Sequence, residues 1–383
     1  MFYPSANPLI SLSLTFLTFA LGFLTRPLGA FIFGHYGDRV GRKNSLILTL
    51  LLSGISTGLI GILPSYDSVG FLAVVLLVIL RLLLGIGLGG EWGGALILLL
   101  ETYRRRRGLY ATFVQSTVGI GLLLANLLFL IVTISYTQQQ ILDFGWRIPF
   151  LVSFLLVILG LLMRFRIPET PLFEQAKLAG KIQKIPSSTV FRKYWFRILL
   201  GTLIAGSVGN FFYYGATFIP NIFATLKIIT TQDALIGSTL LAIMDIVFVF
   251  VSGYLADVTG RKIVLIIANV IALIILYPAI IFVSNTMFLV FVALLGIAHG
   301  LAYTALGAML TELFPTEVRY TGTSLSYQFG NSFIAGLAPY VGSVLGGINY
   351  LLYPVFTLIS IIVALISIYI APETRELDLG EIK

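Results

Sequence analysis

The sequence has no cysteine, only two histidines, and charged residues at just 10% of its 383 positions. Without cysteine there is no disulfide framework, no thiolate nucleophile and no cysteine-ligated metal. A soluble domain carries about 25% charged residues, whereas 58% of this chain is hydrophobic. Too little polar surface is available to face water on all sides, so the composition excludes a soluble globular fold.

Apolar runs of the length that a bilayer requires, about 20 residues each, fill most of the chain. A backbone in lipid must satisfy its own hydrogen bonds, which leaves helices or closed barrels. The Leu and Ile runs lack the alternation of barrel strands, so the sequence predicts an all-α membrane protein. The predicted helices are residues 9–34, 44–63, 71–101, 110–134, 147–167, 196–224, 233–252, 263–282, 286–312, 321–344 and 350–371.

The net charge of +8 is concentrated in alternate connections between these helices. Twenty of the 24 Lys and Arg residues lie in the segments 35–43, 102–109, 164–197, 257–262, 312–320 and 372–383. The opposite set holds only Lys227, while Arg26, Arg81 and Arg147 lie within or at the ends of helices. By the positive-inside rule, the basic connections and the C-terminus are expected in the cytoplasm of a multi-pass protein of the cell membrane. The excess charge therefore sets orientation and predicts no nucleic acid partner.

The sequence repeats itself with a period of about 210 residues, as expected for parallel structural repeats. The equivalent segments are Gly34–Lys43 and Gly253–Lys262, Glu101 and Glu312, and Pro168–Thr170 and Pro372–Thr374. We predict an N-terminal helix bundle at 1–167, a cytoplasmic linker at 168–195 and a C-terminal six-helix bundle at 196–383. Shifting the helix 196–224 back by one period places its counterpart before residue 1. The expected design is therefore twelve helices with the first one missing, and a start site assigned too late is the favoured explanation.

Several motifs carry a family resemblance. They are Gly34–Lys43, Gly22–Ala30, Gly89–Gly94, Gly145–Phe150, Glu169–Phe173 and Glu312–Tyr320. The first resembles the signature of the major facilitator superfamily, and the set resembles its metabolite:proton symporter family. That resemblance implies the two-bundle major facilitator fold and alternating access; the expected oligomeric state, a monomer, is a separate assumption. The resemblance also implies proton-coupled symport of a small, carboxylate-bearing organic metabolite, without a cofactor or a metal.

The repeated glycine-basic segments suggest a gate. An acid inside a basic hairpin contributes nothing to orientation, but it can accept hydrogen bonds from a helix N-terminus or an arginine and lose them when the halves rock. The alternative is that the basic residues only set topology. The predicted gating residues are Gly34, Asp38, Arg39, Gly41, Arg42, Lys43, Glu101, Arg107, Asp257, Gly260, Arg261, Lys262, Glu312 and Arg319.

Two intramembrane charges occupy equivalent repeat positions with opposite signs. Arg26 precedes Asp38 by the same spacing as Asp245 precedes Asp257. Charge inside a membrane is costly and is a functional hypothesis by default. Facing a common cavity, Arg26 would suit a carboxylate and Asp245 a proton or a cationic group. The alternative is that each pairs locally for packing.

The helix predicted at 71–101 carries two further charges, Arg81 and Glu91. They lie on different faces about 15 Å apart along the axis, so they do not pair with each other. Arg81 resembles a charged position of the family and is expected to couple to a proton-binding acid. Glu91 is expected in apolar surroundings, which favour the protonated form of a proton carrier; its alternative is a hydrogen bond to a neighbouring helix. Gly85 and Gly89 indicate a close helix-packing seam.

The helix predicted at 196–224 offers polar and aromatic candidates. The family resemblance implies that the first helix of each half lines the cavity, so Asn210, Tyr213 and Tyr214 are candidate substrate contacts. Packing is the alternative for the aromatic residues. His299 is a candidate proton sensor, with a satisfied structural histidine as its alternative.

No phosphate loop, nucleophile constellation or metal-ligand cluster is visible in the sequence. The chain is therefore expected to be neither an enzyme nor an ATP-driven pump. Two alternatives to symport remain: an uncoupled facilitator or sugar-porter-like permease, and a truncated remnant that does not transport because one wall of the cavity is missing.

Overall fold

The computed structural model describes residues 7–103, 105–166, 186–282 and 284–377, with Tyr3, Pro168, Glu169, Glu174, Leu178, Leu379, Gly380 and Ile382. Within them, eleven helices are long and apolar enough to cross a membrane, as hydropathy predicted. They are α1 Pro8–Val40, α2 Arg42–Ile60, α3 Phe71–Thr102, α4 Arg107–Ser135, α5 Gly145–Arg166, α6 Trp195–Thr225, α7 Thr231–Thr259, α8 Arg261–Ile281, α9 Asn285–Glu312, α10 Arg319–Ile348 and α11 Tyr350–Ile370. Short helices lie at Tyr66–Val69, Gln138–Asp143 and Pro186–Lys193.

The helices form two bundles, α1–α5 and α6–α11, which meet along two equivalent seams. At one seam α1 packs against α10, and at the other α7 packs against α4. Small residues allow both approaches: a β-carbon on Gly34 of α1 would touch Thr321 of α10, and one on Gly253 of α7 would clash with Thr112 of α4. The repeat detected in the sequence is therefore a repeat in space.

Gly85 and Gly89 lie where α3 meets α1, as predicted. A β-carbon at either position would collide with the backbone carbonyls of Gly22 and Arg26. The α3 and α1 backbones can approach this closely only because those positions have no side chain.

Helix α1 is interrupted at Thr25, between Pro8–Leu24 and Arg26–Val40. Pro27 has no N–H, so the carbonyl of Phe23 loses its helical donor. The hydroxyl of Ser332 in α10 donates to that carbonyl at 2.5 Å, and the Thr25 hydroxyl donates to Leu82 of α3. The break is thus held by both bundles, and it places Arg26 at the level where they face each other.

Helices α6 and α10 each contain a π-helical turn, at Tyr214–Phe218 and Asn331–Ala335. A proline follows each turn, Pro220 in α6 and Pro339 in α10. Pro220 frees the carbonyl of Ala216, which accepts a hydrogen bond from Ser238 of α7. Such turns rotate the side chains that follow them, here on two helices that border the space between the bundles.

The basic segments 35–43 and 257–262, predicted as loops, are almost entirely helical. Helix α1 continues to Val40 and α2 begins at Arg42, so Gly41 alone separates them; Gly260 separates α7 from α8 in the same way. The helix ends predicted from hydropathy come too early in the sequence because the last turns of these helices are polar. We call the end of the bundle that carries these junctions the basic end.

The predicted linker at 168–195 lies largely outside the described residues, as does most of the Glu169–Phe173 motif. The described part contains Glu169 and the helix Pro186–Lys193, and α6 starts at Trp195.

Candidate functional site

At the basic end, Asp38 joins the two bundles. Its Oδ2 accepts hydrogen bonds from the backbone N–H and the hydroxyl of Thr321, at 3.2 and 2.7 Å, in the first turn of α10. Arg42 lies 3.4 Å from its other oxygen. A buried carboxylate therefore caps the positive end of a helix from the opposite bundle.

Asp257 makes the equivalent contact in the second copy. Its two oxygens accept from the backbone N–H groups of Gly108 and Leu109, at 2.9 and 3.0 Å, at the start of α4. Arg261 lies 3.0 Å from the same carboxylate. Val258, which replaces the arginine of the first copy, leaves this cap intact.

Two buried ion pairs also cross between the bundles here. Arg319 contacts Glu101 at 3.1 Å, and both side chains are fully buried. Arg107 contacts Glu312 at 2.5 Å, and Arg261 reaches the same carboxylate at 3.0 Å. All the cross-bundle acids predicted from the sequence thus have basic or N–H partners in the opposite bundle.

The remaining predicted gating residues form the junctions themselves. Gly41 and Gly260 have φ values of 128° and 104°, a backbone region that favours glycine. The ammonium groups of Lys43 and Lys262 donate to the last carbonyls of α5 and α11, respectively. Arg39 points outward and is exposed. Gly37, also considered a turn residue, is helical and makes room for the ring of Tyr320.

Between the bundles lies a cavity of about 540 Å³, which we call the central cavity. Its walls come from α1, α3, α4 and α5 of one bundle and α6, α9 and α10 of the other. Of the predicted candidates, Arg26, Glu91, Tyr213 and His299 line it. Concave sites of this size with few polar groups are typical of small-molecule binding.

Arg26 presents an incompletely satisfied cation to this cavity. Its guanidinium lies 3.7 Å from the centre of the Phe23 ring, and it interacts with the Tyr213 hydroxyl. Its Nε has no hydrogen-bond partner among the described residues. Arg26 lines the cavity, and its positive charge suits a ligand with an anionic oxygen.

An aromatic wall that the sequence did not identify faces Arg26. Trp92 stacks on Tyr327 with ring centres 3.7 Å apart, and its indole N–H donates to Gln115. The hydroxyls of Tyr327 and Tyr303 are 2.9 Å apart. The signal was present for Tyr303, which follows His299 by one helical turn on α9 and so shares its face.

Asp245 does not line the central cavity; it lies behind His299. Its Oδ1 is 2.7 Å from Nδ1 of His299, and both residues are buried. The two predicted proton-binding candidates on α7 and α9 are therefore one buried pair, with only His299 reaching the cavity. Arg26 and Asp245, expected to face each other across one space, have different surroundings.

Glu91 is not in purely apolar surroundings. Arg164 of α5 lies 2.6 Å from its carboxylate, and both side chains line the central cavity. The sequence had assigned Arg164 to a basic connection, but it belongs to the last helical turns of α5 and reaches back into the bundle. The structure thus shows the alternative for Glu91, a hydrogen bond to a neighbouring helix, because hydropathy does not indicate how far an arginine side chain from another helix reaches.

Arg81 lies away from the central cavity. It lines a separate cavity of about 320 Å³ within the first bundle, with Thr18, Trp146 and Phe150 among the other walls. Its Nε lacks a hydrogen-bond partner, and none of the described acids forms an ion pair with it. The structure does not bring Arg81 together with Glu91 or Asp245.

Asn210 and Tyr214 are on the sides of α6 that face other helices. The Asn210 amide bonds to Ser360 and Thr357 of α11, and Tyr214 packs against Phe218 with its hydroxyl directed at a carbonyl of α8. The π-helical turn that begins at Tyr214 leaves Tyr213 as the residue of this group that faces the cavity.

Comparisons with known proteins agree with this architecture. Residues 3–193 match the family model "Sugar (and other) transporter", and residues 207–382 match "Major Facilitator Superfamily". The chain is similar in fold to the proton:xylose symporter XylE, with a TM-score of 0.76 at 20% identity over 97% of this chain and 89% of that one.

Two curated relatives cover 90% of this chain each. The inner membrane metabolite transport protein YhjE of Escherichia coli is 40% identical, with 80% of its length matched. The citrate-proton symporter of Klebsiella pneumoniae is 30% identical, with 78% of its length matched. With a cavity between two repeated bundles and relatives that are transporters rather than enzymes, the chain belongs to the major facilitator superfamily of membrane transporters.

Proposed function

We propose that the protein is a secondary transporter that carries a small carboxylate-bearing metabolite together with protons by alternating access. The single observation that supports the substrate class most is Arg26. It is a cation at a helix break that lines the central cavity, and its Nε has no hydrogen-bond partner among the described residues. A relative named as a citrate-proton symporter supports both the carboxylate and the proton.

Arg26 suits a carboxylate rather than a neutral sugar. A guanidinium offers two parallel N–H groups that match the two oxygens of a carboxylate. The aromatic faces of Tyr213 and Tyr327 and the amides of Gln328 and Asn331 border the same space. They would hold the uncharged part of a substrate, and the Oε1 of Gln328 still lacks a donor among the described residues.

The basic-end contacts support alternating access. Asp38 and Asp257 cap helices of the opposite bundle, and one buried ion pair between the bundles reinforces each seam. These contacts hold the bundles together at one end of the central cavity, and they must break when the substrate leaves by that end. The contacts of both gate copies would thus be formed when the basic end is closed and broken when it is open.

Transport by purified protein in vesicles tests the substrate class. Radiolabelled citrate, a monocarboxylate, glycine betaine and D-xylose would be offered as probes, because D-xylose alone lacks a carboxylate. We expect uptake of at least one carboxylate, and an affinity about tenfold weaker for Arg26→Lys because a bidentate pair becomes a point charge. Tyr254→Phe, on the exposed surface of α7, is the control. Uptake of D-xylose alone would favour the sugar-porter-like alternative, uptake unaffected by a pH gradient would favour the facilitator, and no uptake of any probe would favour a non-transporting form.

The orientation of the basic end is part of the proposal. From the placement of Lys and Arg, we infer that 35–43, 102–109 and 168–195 are cytoplasmic and that 64–70 and 135–146 are external. Single cysteines can be introduced into the cysteine-free chain and exposed to an impermeant maleimide in sealed cells. A cysteine at Ser68 should react and one at Arg105 should not; the reverse pattern contradicts the assignment.

A further inference from the structure

We propose that Asp245 and His299 together form the proton-binding site of the transporter, a buried pair that exchanges one proton with the central cavity through the His299 ring. This inference rests on the proposed function, because it assigns the proton of that symport to one place. The proposed proton site is also distinct from Arg26, where the substrate is expected to bind.

The pair lies where α7 and α9 of the second bundle pack closely together. Asp245 of α7 is fully buried and His299 of α9 is 2% exposed. A β-carbon on Gly300 would collide with the backbone carbonyl of Asp245, so the two helices touch at this level. This close approach of the two backbones holds the carboxylate and the imidazole within hydrogen-bonding distance of each other.

One oxygen of Asp245 has no partner. Its Oδ1 contacts His299, but its Oδ2 is buried without a hydrogen bond among the described residues. With one shared proton the pair is neutral overall, either as acid and imidazole or as carboxylate and imidazolium. Loss of that proton leaves a net negative charge inside the membrane, which is costly unless something else approaches.

His299 connects the buried acid to the substrate space. Its ring lines the central cavity, packs against Phe212, and stacks on Tyr303 with ring centres 4.8 Å apart. The Tyr303 hydroxyl continues to Tyr327. Protons can therefore reach Asp245 from the cavity by way of the imidazole, without direct exposure of the carboxylate.

The charges around the pair explain how substrate and proton would be coupled. Of the groups that share the central cavity with His299, Tyr303, Tyr327 and Tyr213 are phenols, Glu91 and Arg164 form an ion pair, and Arg26 carries a positive charge. An empty cavity leaves that positive charge uncompensated, which disfavours a proton on the pair. A bound carboxylate neutralises Arg26 and favours the proton, and the proton favours the carboxylate by the same factor.

The unpartnered oxygen also lies at a seam that alternating access must disturb. Oδ2 faces Gly119 of α4, where an added β-carbon would be only 2.7 Å away. Helix α4 belongs to the other bundle, so rocking changes what lies against Oδ2. When the seam opens, water can solvate the carboxylate and the proton can leave; when it is closed, the pair must keep its proton.

Glu91 is the competing candidate, and its surroundings favour the pair instead. Arg164 at 2.6 Å compensates the Glu91 carboxylate in its charged form, so it does not need a proton for neutrality. Asp245 has no arginine or lysine partner among the described ion pairs; its partner is the imidazole of His299, which can itself carry the proton.

The test compares two measurements in vesicles, accumulation of the probe driven by a pH gradient and exchange of labelled for unlabelled probe. The probe is whichever carboxylate the parent transports. A gradient of about one pH unit sustains about tenfold accumulation for each proton carried. We expect Asp245→Asn, which mimics the protonated acid, and His299→Gln to lose this accumulation and reach only equal concentrations. Exchange of labelled for unlabelled probe needs no net proton movement and should persist, which also shows that the variants fold.

Asp143→Asn is the matched control, since it removes a carboxylate from an exposed short helix. Asp245→Glu keeps a carboxylate at the pair and should retain part of the accumulation that Asp245→Asn loses. A second measurement is proton uptake when the probe binds the purified protein in weak buffer, which the parent should show and Asp245→Asn should not. Parental accumulation in either Asp245→Asn or His299→Gln would overturn the assignment while leaving the proposed symport intact. A parent that exchanges the probe but never accumulates it would instead overturn the symport.

Discussion

At the basic end, the first and second bundles carry the same residues in the same contacts. Asp38 caps α10 as Asp257 caps α4, and Arg319 meets Glu101 as Arg107 meets Glu312. Glu169 accepts from the first turn of α2 as Glu373 does from that of α8. The contacts of one bundle therefore predict those of the other at this end.

At the level of the central cavity the two bundles differ. Arg26 faces the cavity from the break in α1, whereas the equivalent Asp245 is buried behind His299. The two levels of the molecule therefore suit different tasks. Equivalent residues in both bundles suit a gate that must work in both states, and non-equivalent residues suit ligands of opposite charge. Substitutions at equivalent positions of the two bundles test this distinction.

The largest effect is expected from Glu312→Gln. The substitution leaves Arg107 and Arg261 buried against an amide, and breaking a buried ion pair costs about 3–5 kcal/mol. Unfolding in detergent, followed by temperature or denaturant, should show this loss. Glu101→Gln should cost a similar amount if the copies are equivalent, because Glu101 and Arg319 are fully buried. Glu317→Gln, exposed in the same connection, is the control; equal stability of Glu312→Gln and that control would contradict the prediction.

The next comparison is Asp38→Asn against Asp257→Asn. Losing a charge-assisted hydrogen bond between bundles costs about 1.5–3 kcal/mol, so the basic end should open more often while insertion survives and transport falls. A single cysteine at Leu306 in the central cavity should then react about tenfold faster from the basic side. Asp257→Asn should have the smaller effect, since its carboxylate is 17% exposed and that of Asp38 only 1%. Unchanged labelling and transport in both variants would show that the two acids do not gate and that the basic residues around them only set topology; Asp67→Asn is the control.

Much of the fold could be predicted from the sequence. Hydropathy predicted eleven helices because each has an apolar stretch long enough to cross a bilayer. The repeated glycine-basic segment predicted the two equivalent junctions. The helix ends were misplaced at Val40 and Thr259, since polar residues continue the helix beyond the hydrocarbon. Pro27, Pro220 and Pro339 lie at or after the irregular turns, but a proline in the sequence does not indicate which helix satisfies the freed carbonyl.

The candidate site was harder to predict because its pairs come from different helices. Asp245 and His299 are 54 positions apart, and only the rotation of α7 against α9 brings them together. Glu91 and Arg164 were each visible, but the length and direction of the arginine side chain decide their contact. Trp92 belonged to a recognised motif, yet its stacking on Tyr327 depends on how the two bundles face each other.

A smaller effect should come from the glycines at the junctions. A side chain at φ 128° or 104° is strained by about 1–3 kcal/mol, so Gly41→Ala and Gly260→Ala should both lower the unfolding temperature. Gly260→Ala should cost more, since its β-carbon would lie 2.6 Å from the Glu373 carboxylate. Gly347→Ala has open space around it and should be neutral or slightly stabilising. Equal stability of all three variants would show that the junctions tolerate another backbone geometry.

The smallest effect concerns Glu373, which follows α11 and binds the first turn of α8. Partial burial raises the pKa of its carboxyl, but hydrogen bonds from the backbone N–H groups of Arg261, Lys262, Arg375 and Thr374 outweigh burial and hold that pKa below its ordinary value. A depressed pKa means that the ionised group stabilises the fold above the ordinary pKa of a glutamate, about 4.3, and that this stabilisation is lost as the pH falls through the lower folded-state pKa.

The same reasoning sets the experiment on Glu373→Gln. At pH 7 the variant should be less stable by about 0.5–1 kcal/mol, the usual worth of a helix-capping contact near solvent. The difference between parent and variant should stay constant from pH 7 to about 5 and shrink below about pH 4, because the parent then loses the same contact. Glu169→Gln tests the equivalent contact with Lys43 of α2. A parent–variant difference that does not change with pH would mean that Glu373 acts by packing rather than by charge. Different results for Glu373→Gln and Glu169→Gln would mean that this contact is not equivalent in the two bundles.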